Sequence, residues 1–568
     1  MSGLLNSLHI GQSSIFANQK NMSVIGNNVA NANTDGYSRQ EVDMEPWPTV
    51  ERGGLSFGQG VKLGEIARAH DRFVTDRLRD ASEEYGQAEG RATPLTELER
   101  IIGIDENSVA GAMNEFFDAW HELSVNPEGE AERSMVIEQG RALATRFRQT
   151  ENSLSGLKDS IDSRLETDLA NINDKLKQVA DLNRRITRAT STGHNPNTAL
   201  DNRDRLLQEL SQDIGSKVYI DEKGSASVYL PQGPTLVQDS QANEIQVGKE
   251  TADGLQFTLK SGKTQITLQG KDFGGEFKGF IDVRDKLLPE IEAGLDGLKH
   301  DLITQVNAKH TAGTDLNGET GQNFFEPVTS YQSDKFALVD DGFADSSGEN
   351  LKIEVDGPPA TSVQVTNTDT LNDIRDKINN DVDGVIASVV ADGSDYRLKV
   401  VPTNNVPSVK VNTGNLNPSP TSLVSSGTLF AEVDGKTNLQ VAVTDPQEVA
   451  AAKPSNPADY KPGDNRNALD IAELGDAQVA GKSGNSTFVD AYGQISSQVG
   501  VEMKQNEFSR ESLRDTLNQL ENRRDEVAGV SIDESMIDLQ RYQRAFQASA
   551  QYVTTVDEMM QTLLGIKR

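Results

Sequence analysis

Two stretches of this chain repeat an apolar residue every seventh position, and they are its two ends. Met1, Leu8, Ile15, Met22 and Val29 form the N-terminal row; Ile532, Leu539, Phe546, Val553 and Met560 form the C-terminal one. This is the period of a helix whose apolar seam faces another helix. Leu4, Ile25 and Ala32 add a weaker N-terminal companion row, broken by Gly11 and Asn18. Tyr542, Val556 and Leu563 add one at the C-terminus, with Ser535 and Ser549 as its gaps. Ser531-Ile-Asp-Glu534 has capping-box spacing and marks the start of the C-terminal helix. Asn27, Asn28, Asn31, Asn33 and Gly36 mark the end of the N-terminal one, since Asn and Gly tolerate the left-handed backbone that stops a helix. Glu45-Pro46-Trp47-Pro48 then requires extended chain. The pattern predicts that the two ends pair with each other and with copies of the same chain.

Charge separates the ends from the body. Residues 1–40 hold Lys20 and Arg39 against Asp35, and residues 529–568 are nearly balanced. The formal net charge of −32 therefore lies in residues 41–528. Such a body repels nucleic acid and anionic membranes, which bind through their phosphates. The absence of cysteine excludes disulfides and thiolate chemistry. No run approaches the ~18 apolar residues of a membrane span. Met1–Ile10 has no basic leader and is interrupted by Asn6, Ser7 and His9, so no cleaved secretory signal is expected.

Between the ends, apolar residues advance by three or four from Leu154 to Ile186, from Leu288 to Val306, and from Phe508 to Leu520, predicting long packed helices. Val218, Ile220, Val228, Leu230, Ile245, Val247, Phe257, Leu259, Ile266 and Leu268 alternate as short strands. A second β-rich region includes Leu351–Val355, Val363–Val365 and Leu398–Val400, with one short helix at Leu371–Ile378. The expected fold is α+β and multidomain. Residues 1–40 and 530–568 form a terminal coiled coil. Residues 41–214, 276–325 and 467–529 form a discontinuous helical bundle. Residues 215–275 are a small β insertion, residues 326–445 an outer β-rich domain, and the Pro- and Asp-rich 446–466 a linker. The β insertions are expected to lie furthest from the coiled coil.

Catalytic signals are poor. Histidines 9, 70, 121, 194, 300 and 310 show no metal spacing and are expected on surfaces or helix faces. Gly475-Asp-Ala-Gln-Val-Ala-Gly481-Lys482-Ser483 has five residues where a phosphate loop needs four, and its flank at Ala468–Leu474 reads as helix rather than strand. Gly58-Gln-Gly60-Val-Lys-Leu-Gly64 misses the dinucleotide spacing and reads as a β-turn. No enzyme activity, cofactor or metal is expected.

Asn27–Gln40, NNVANANTDGYSRQ, resembles the N-terminal signature of bacterial flagellar axial proteins, the family of rod, hook and hook-associated proteins. Ile537–Ile566, IDLQRYQRAFQASAQYVTTVDEMMQTLLGI, resembles that family's C-terminal signature. Further segments resemble the members found at the hook–filament junction: Gly58–Val61 with Arg68 and Asp71–Phe73, the helices at 150–210 and 283–309, Val306–Phe325, and Pro462–Ala468. The resemblance is weak over 326–445. It implies an extracellular structural subunit, exported unfolded through the flagellar type III channel and built into a ring or helical assembly between hook and filament. The terminal helices would line the inner tube and the β-domains would face outward. Implied partners are copies of the chain, the hook protein, a second junction protein and an export chaperone. A hook or distal-rod protein would carry the same termini.

The residues expected to carry assembly are Leu8, Ile15, Met22, Val29, Asn28, Asn31, Asn33, Gly36 and Tyr37 in the N-terminal arm. In the C-terminal arm they are Ile532, Leu539, Tyr542, Phe546, Val553, Val556, Met560 and Leu563. A lone amphipathic helix gains little by itself, which predicts arms unfolded in the monomer and folded when neighbours cover them. Tyr37 and Arg39 either contact a neighbouring subunit or close a turn within the chain.

Overall fold

The computed structural model describes residues 2–52, 55–251, 254–326, 329–333, 343–344, 350–355, 361–364, 370–382, 385–392, 395–402, 409–412, 417–418, 430–434, 439–454, 460–480 and 485–566. The chain opens with helix α1 (Ser2–Ala30), then strands β1 (Gln40–Pro46), β2 (Val50–Arg52), β3 (Leu55–Phe57) and β4 (Val61–Arg68). β1 pairs with β4, and β2 pairs with β3, in two antiparallel two-stranded sheets. The helical body follows. α2 (Arg72–Ile102) begins where the Asp71 carboxylate accepts from the Phe73 and Val74 N–H groups, satisfying donors that a helix start leaves open. α3 (Val109–Val125) is capped in the same way by Ser108.

The long apolar row from Leu154 lies within α4 (Glu130–Ser191), which has 62 residues. Leu154, Leu157, Ile161, Leu165, Leu169, Ile172, Leu176, Val179 and Ile186 are all buried. The pattern breaks at Gly193, in left-handed conformation, and Pro196, and a separate α5 (Asn197–Ile214) follows. Strands β5 (Lys217–Ile220), β6 (Ala226–Tyr229), β7 (Thr235–Gln238) and β8 (Gln241–Ala242) form one antiparallel sheet. β9 (Glu244–Thr251), β10 (Gly254–Ser261) and β11 (Thr264–Leu268) form another. These strands share the helices' core. Val228, Leu236, Phe257 and Leu259 are buried in the same cluster as the α4 row. Two α4 asparagines fasten the sheets: Asn173 donates to the Ile245 carbonyl and accepts its N–H, and Asn183 does the same with Ala226. Ile266 is the exception to the expected inward pattern and is exposed.

α6 (Gly275–Asp282) runs through a π-helical stretch, Val283–Leu287, into α7 (Leu288–Ala312). In the outer β-rich region, strands Val385–Asp392, Asp395–Pro402, Thr329–Ser333 and Phe430–Asp434 form one antiparallel sheet in that order. Thr361–Gln364, Asn350–Val355 and Val409–Asn412 form a second, and α8 (Leu371–Asp381) carries a Thr370/Asp373 capping box. α9 (Arg466–Ala472), α10 (Phe488–Ala528) and α11 (Ile532–Ile566) close the chain. Phe508, expected on the packed face of its helix, points outward from α10; that helix packs on α2 through Asn506, which donates to the Ala88 carbonyl.

Two expectations are corrected here. Residues 446–452 are not a free linker, since Val449, Ala450, Ala451 and Ala452 are buried. The buried Arg133 guanidinium donates to the Pro127 and Val449 carbonyls and holds the segment to α4. His310 is not a surface residue either. It is fully buried beside Trp120 and Phe324. Its Nδ1 faces the Gln322 carbonyl, and its Nε2 accepts the Ala450 N–H at 3.0 Å, which requires a neutral ring.

Burial lowers the His310 pKa from 6.5 to about 4. A depressed folded-state pKa means that the neutral ring's contribution is complete above pH 6.5 and is lost as pH falls toward 4. The shift corresponds to roughly 3 kcal/mol. Urea unfolding of the protein across that window should show this acid loss in excess of a His310→Gln variant. Equal slopes for both would refute it.

Candidate assembly site

α1 and α11 lie antiparallel against each other. Leu4 shares a cleft with Met559, Thr562 and Leu563; Gly11 packs under Tyr552 and Val553; and the hydroxyls of Ser14 and Ser549 are 2.8 Å apart. A Cβ added at Gly11 would stand 2.5 Å from Val553 Cγ2, so only glycine lets the helices approach this closely. The row read as broken is therefore the covered one: Gly11, Asn18 and Ile25 are buried. Leu8, Ile15, Met22 and Val29 lie half-buried on its flank. On α11, Ser535 and Val556 are buried. Leu539, Tyr542, Phe546, Val553 and Met560 are half-buried, while Ile532 and Leu563 are exposed. The gap residues Ser535 and Ser549 sit on the contact face, where small side chains permit close approach. The Ser531 hydroxyl accepts the Glu534 N–H, as the capping spacing requires.

Both arms are helical and docked on each other within one chain, which corrects the expectation of unfolded arms. Each supplies the other with a covered seam. Their backs are bare: Leu5 and Phe16 on α1, and Met536, Ile537 and Leu564 on α11, are exposed. A soluble monomer leaves this much apolar helix surface open only where something else is to cover it.

The asparagine-rich motif closes a turn inside the chain. The buried Asn28 side chain donates to the Gln40 carbonyl at 2.9 Å and accepts the Gln40 N–H at 3.0 Å, which fixes where β1 starts. It also accepts the Tyr37 hydroxyl at 2.8 Å. Asn31 donates back to the Asn27 carbonyl, Gly36 takes a left-handed φ of 73°, and Asn33 is exposed. The Arg39 N–H donates to the Ala528 carbonyl at 2.7 Å, so this turn also receives the end of α10.

Beneath the turn, Arg68 of β4 pairs with Asp201 at 2.9 Å and Asp204 at 2.6 Å, both on α5. Burial pushes the Asp204 carboxyl up, but Arg68 and Arg203 outweigh it and hold it below the usual carboxylate range. Burial, with Asp201 nearby, raises the Tyr37 phenol. These groups bind the arm to the body. Pairs so distant in sequence gave no local signal, and only the isolated Arg68 of the resemblance pointed to them.

The phosphate-loop decoy resolves in part. Gly475 packs on the Phe117 ring, and Gly481–Ser483 lie outside the described residues. Among the described residues, no group of three or more His, Cys, Asp or Glu is placed to hold a metal ion, and no helix is long and apolar enough to cross a membrane.

Residues 95–325 match the family described as the flagellar hook-associated protein FlgK helical domain. The Salmonella typhimurium protein named flagellar hook-associated protein 1 is 28% identical over 586 aligned residues, with both chains covered in full. The Escherichia coli protein of that name is 26% identical, again with both covered in full. The chain is similar along its whole length to proteins named flagellar hook-associated protein 1. The ends of the chain carry further matches: residues 8–37 match a flagellar basal body rod family, and residues 522–566 a C-terminal rod family. Residues 350–404 match the flagellin hook IN motif. The fold is similar to that of the flagellar hook junction protein FlgK from Burkholderia pseudomallei, with a TM-score of 0.57 at 17% identity over 80% of this chain and all of that one.

Proposed function

We propose that the chain is a structural subunit of the bacterial flagellum, forming the junction between hook and filament on which the filament assembles. One observation carries the reading. The two termini close into an antiparallel helical pair that still exposes apolar backs, in a chain that aligns end to end with hook-associated protein 1 relatives. The terminal matches alone would suit a hook or rod protein, and the helical-domain match at 95–325 favours the junction.

In this role the terminal pair is the inner-tube domain, the helical body surrounds it, and the β-rich regions face outward. Burying one Leu-sized side chain contributes about 1.5–3 kcal/mol, and the bare backs of α1 and α11 gain this when copies of the chain pack side by side. The weakly charged arms suit a crowded centre, whereas the acidic body faces solvent and salt that screen it. The partners are other copies of this chain, the hook protein and a second junction protein, with an export chaperone covering α11 beforehand. Export would run through the flagellar type III channel without a cleaved signal. Electron microscopy of cells lacking the gene should show hooks without filaments, with flagellin shed into the medium. Normal filaments on such cells would overturn the proposal.

A further inference from the structure

The β2–β3 hairpin stands apart from the larger sheets. Among the described residues its two strands pair only with each other, and an isolated two-stranded hairpin is marginal in water. Val50 and Phe57 stand directly opposite across it, and they are 48% and 46% exposed. Trp47, at the hairpin's root, is 43% exposed. The root is anchored: the Trp47 N–H donates to the Gly60 carbonyl at 3.0 Å, and Asn6 of α1 donates to the Gly58 carbonyl at 3.3 Å. The tip thus presents an aromatic and aliphatic pair from a fixed base. The surrounding residues 41–65 are acidic, with Glu41, Asp43, Glu45, Glu51 and Glu65 against Arg52 and Lys62.

A surface of matching character lies elsewhere on the arm. Ile537, Arg541, Arg544 and Ala548 follow the helical repeat along the side of α11 turned away from α1, and all are exposed. From Ile537 to Val556 the helix has these two arginines and one carboxylate, Asp538, which pairs with Arg541 at 3.4 Å and leaves the stretch net positive. The hairpin offers apolar groups in an acidic surround, and α11 offers apolar groups beside two cations.

We propose that the β2–β3 hairpin of one copy docks on the Ile537–Ala548 stripe of α11 in a second copy, an inference that rests on the assembly reading above. The two surfaces differ, so the contact is heterologous. Repeated, it closes a ring or continues as a helix rather than stopping at a dimer. The arginines meet the hairpin's carboxylates and set the register, and Val50, Phe57 and Trp47 cover the apolar stripe.

Because the chain has no cysteine, the contact is open to a direct test. Val50→Cys and Ala548→Cys chains are co-expressed in cells lacking the native copy, and sheared flagella are treated with a short bis-maleimide. A covalent dimer is expected from the mixed population and not from either variant alone. Filaments supported by both variants without a mixed dimer would overturn the docking and leave the assembly reading intact. A chain absent from sheared hooks and filaments would overturn both. In a second arm, Arg541→Glu with Arg544→Glu should reduce filamented cells about tenfold, equivalent to ~1.4 kcal/mol, and Asp43→Arg with Glu51→Arg should restore them. Loss without restoration would count against the charge match.

Discussion

Val553→Asp should abolish incorporation of the chain into flagella while leaving the helical body folded. Val553 is half-buried where α11 meets α1, with its Cγ2 methyl over Gly11. The substitution removes an apolar contribution of about 1.5–3 kcal/mol and places a carboxylate in the close contact with Gly11. The body's core runs from Leu95 to Val499 and contains neither arm, so its thermal transition should stay in place. Sheared flagella probed for the chain, together with the melting curve, provide the two readouts. Normal incorporation would show that the α1–α11 seam does not matter to assembly.

A compensating pair makes the test specific. Gly11→Ala alone should also impair incorporation, because its new methyl meets Val553 Cγ2 at 2.5 Å. Adding Val553→Ala removes that methyl. If the contact is the cause, the double variant should perform better than Gly11→Ala, a non-additivity reserved for residues that touch. Additive losses would place the damage elsewhere.

The period of the terminal rows made both arms legible, but not which row is covered. Hydrophobicity favours Leu8, Ile15, Met22 and Val29, whereas helix approach is set by the smallest residues. Gly11, Ser535 and Ser549 therefore read as gaps although they lie on the contact face. Long helices such as α4 and α7 were legible because each keeps one apolar stripe through many turns. The π-helical stretch before α7 has no comparable signature. The site's polar joints were hidden for a different reason. Arg68 and Asp201, like Arg133 and Val449, meet across long stretches of chain, and nothing near any of them in sequence marks the partner. His310 reads as an ordinary helix-face residue until the 449–452 segment folds over it, and that segment reads as a linker because its prolines dominate its composition. Asn28 was legible as a helix stop, but its pairing with the Gln40 backbone needed the strand that follows.

Gly90→Val should be among the most damaging single substitutions in the body. α2 carries glycines at 86 and 90, four residues apart and so on one helix face, and α6 carries Gly279 and, at its start, Gly275 in left-handed conformation. A Cβ at Gly86 would fall well inside van der Waals contact of the Gln212 carbonyl oxygen on α5, one at Gly90 inside that of Glu276 on α6, and one at Gly279 inside that of Gln87 on α2. Backbone meets backbone at this crossing, and no side chain can swing aside. Glycine within a helix ordinarily costs about 1 kcal/mol relative to alanine, so alanine here would be stabilising if the crossing were loose. The structure reverses that sign: Gly90→Ala is expected to destabilise by about 1–3 kcal/mol, the range for overpacked cores, and the branched valine by more. Gly156, in α4, supplies the contrast, since a Cβ there would meet nothing within 4 Å. Gly156→Ala should raise the melting temperature, Gly90→Ala should lower it, and Gly90→Val should lower it furthest. A Gly90→Ala protein as stable as the Gly156→Ala one would mean that α2 and α6 are not held together at this distance.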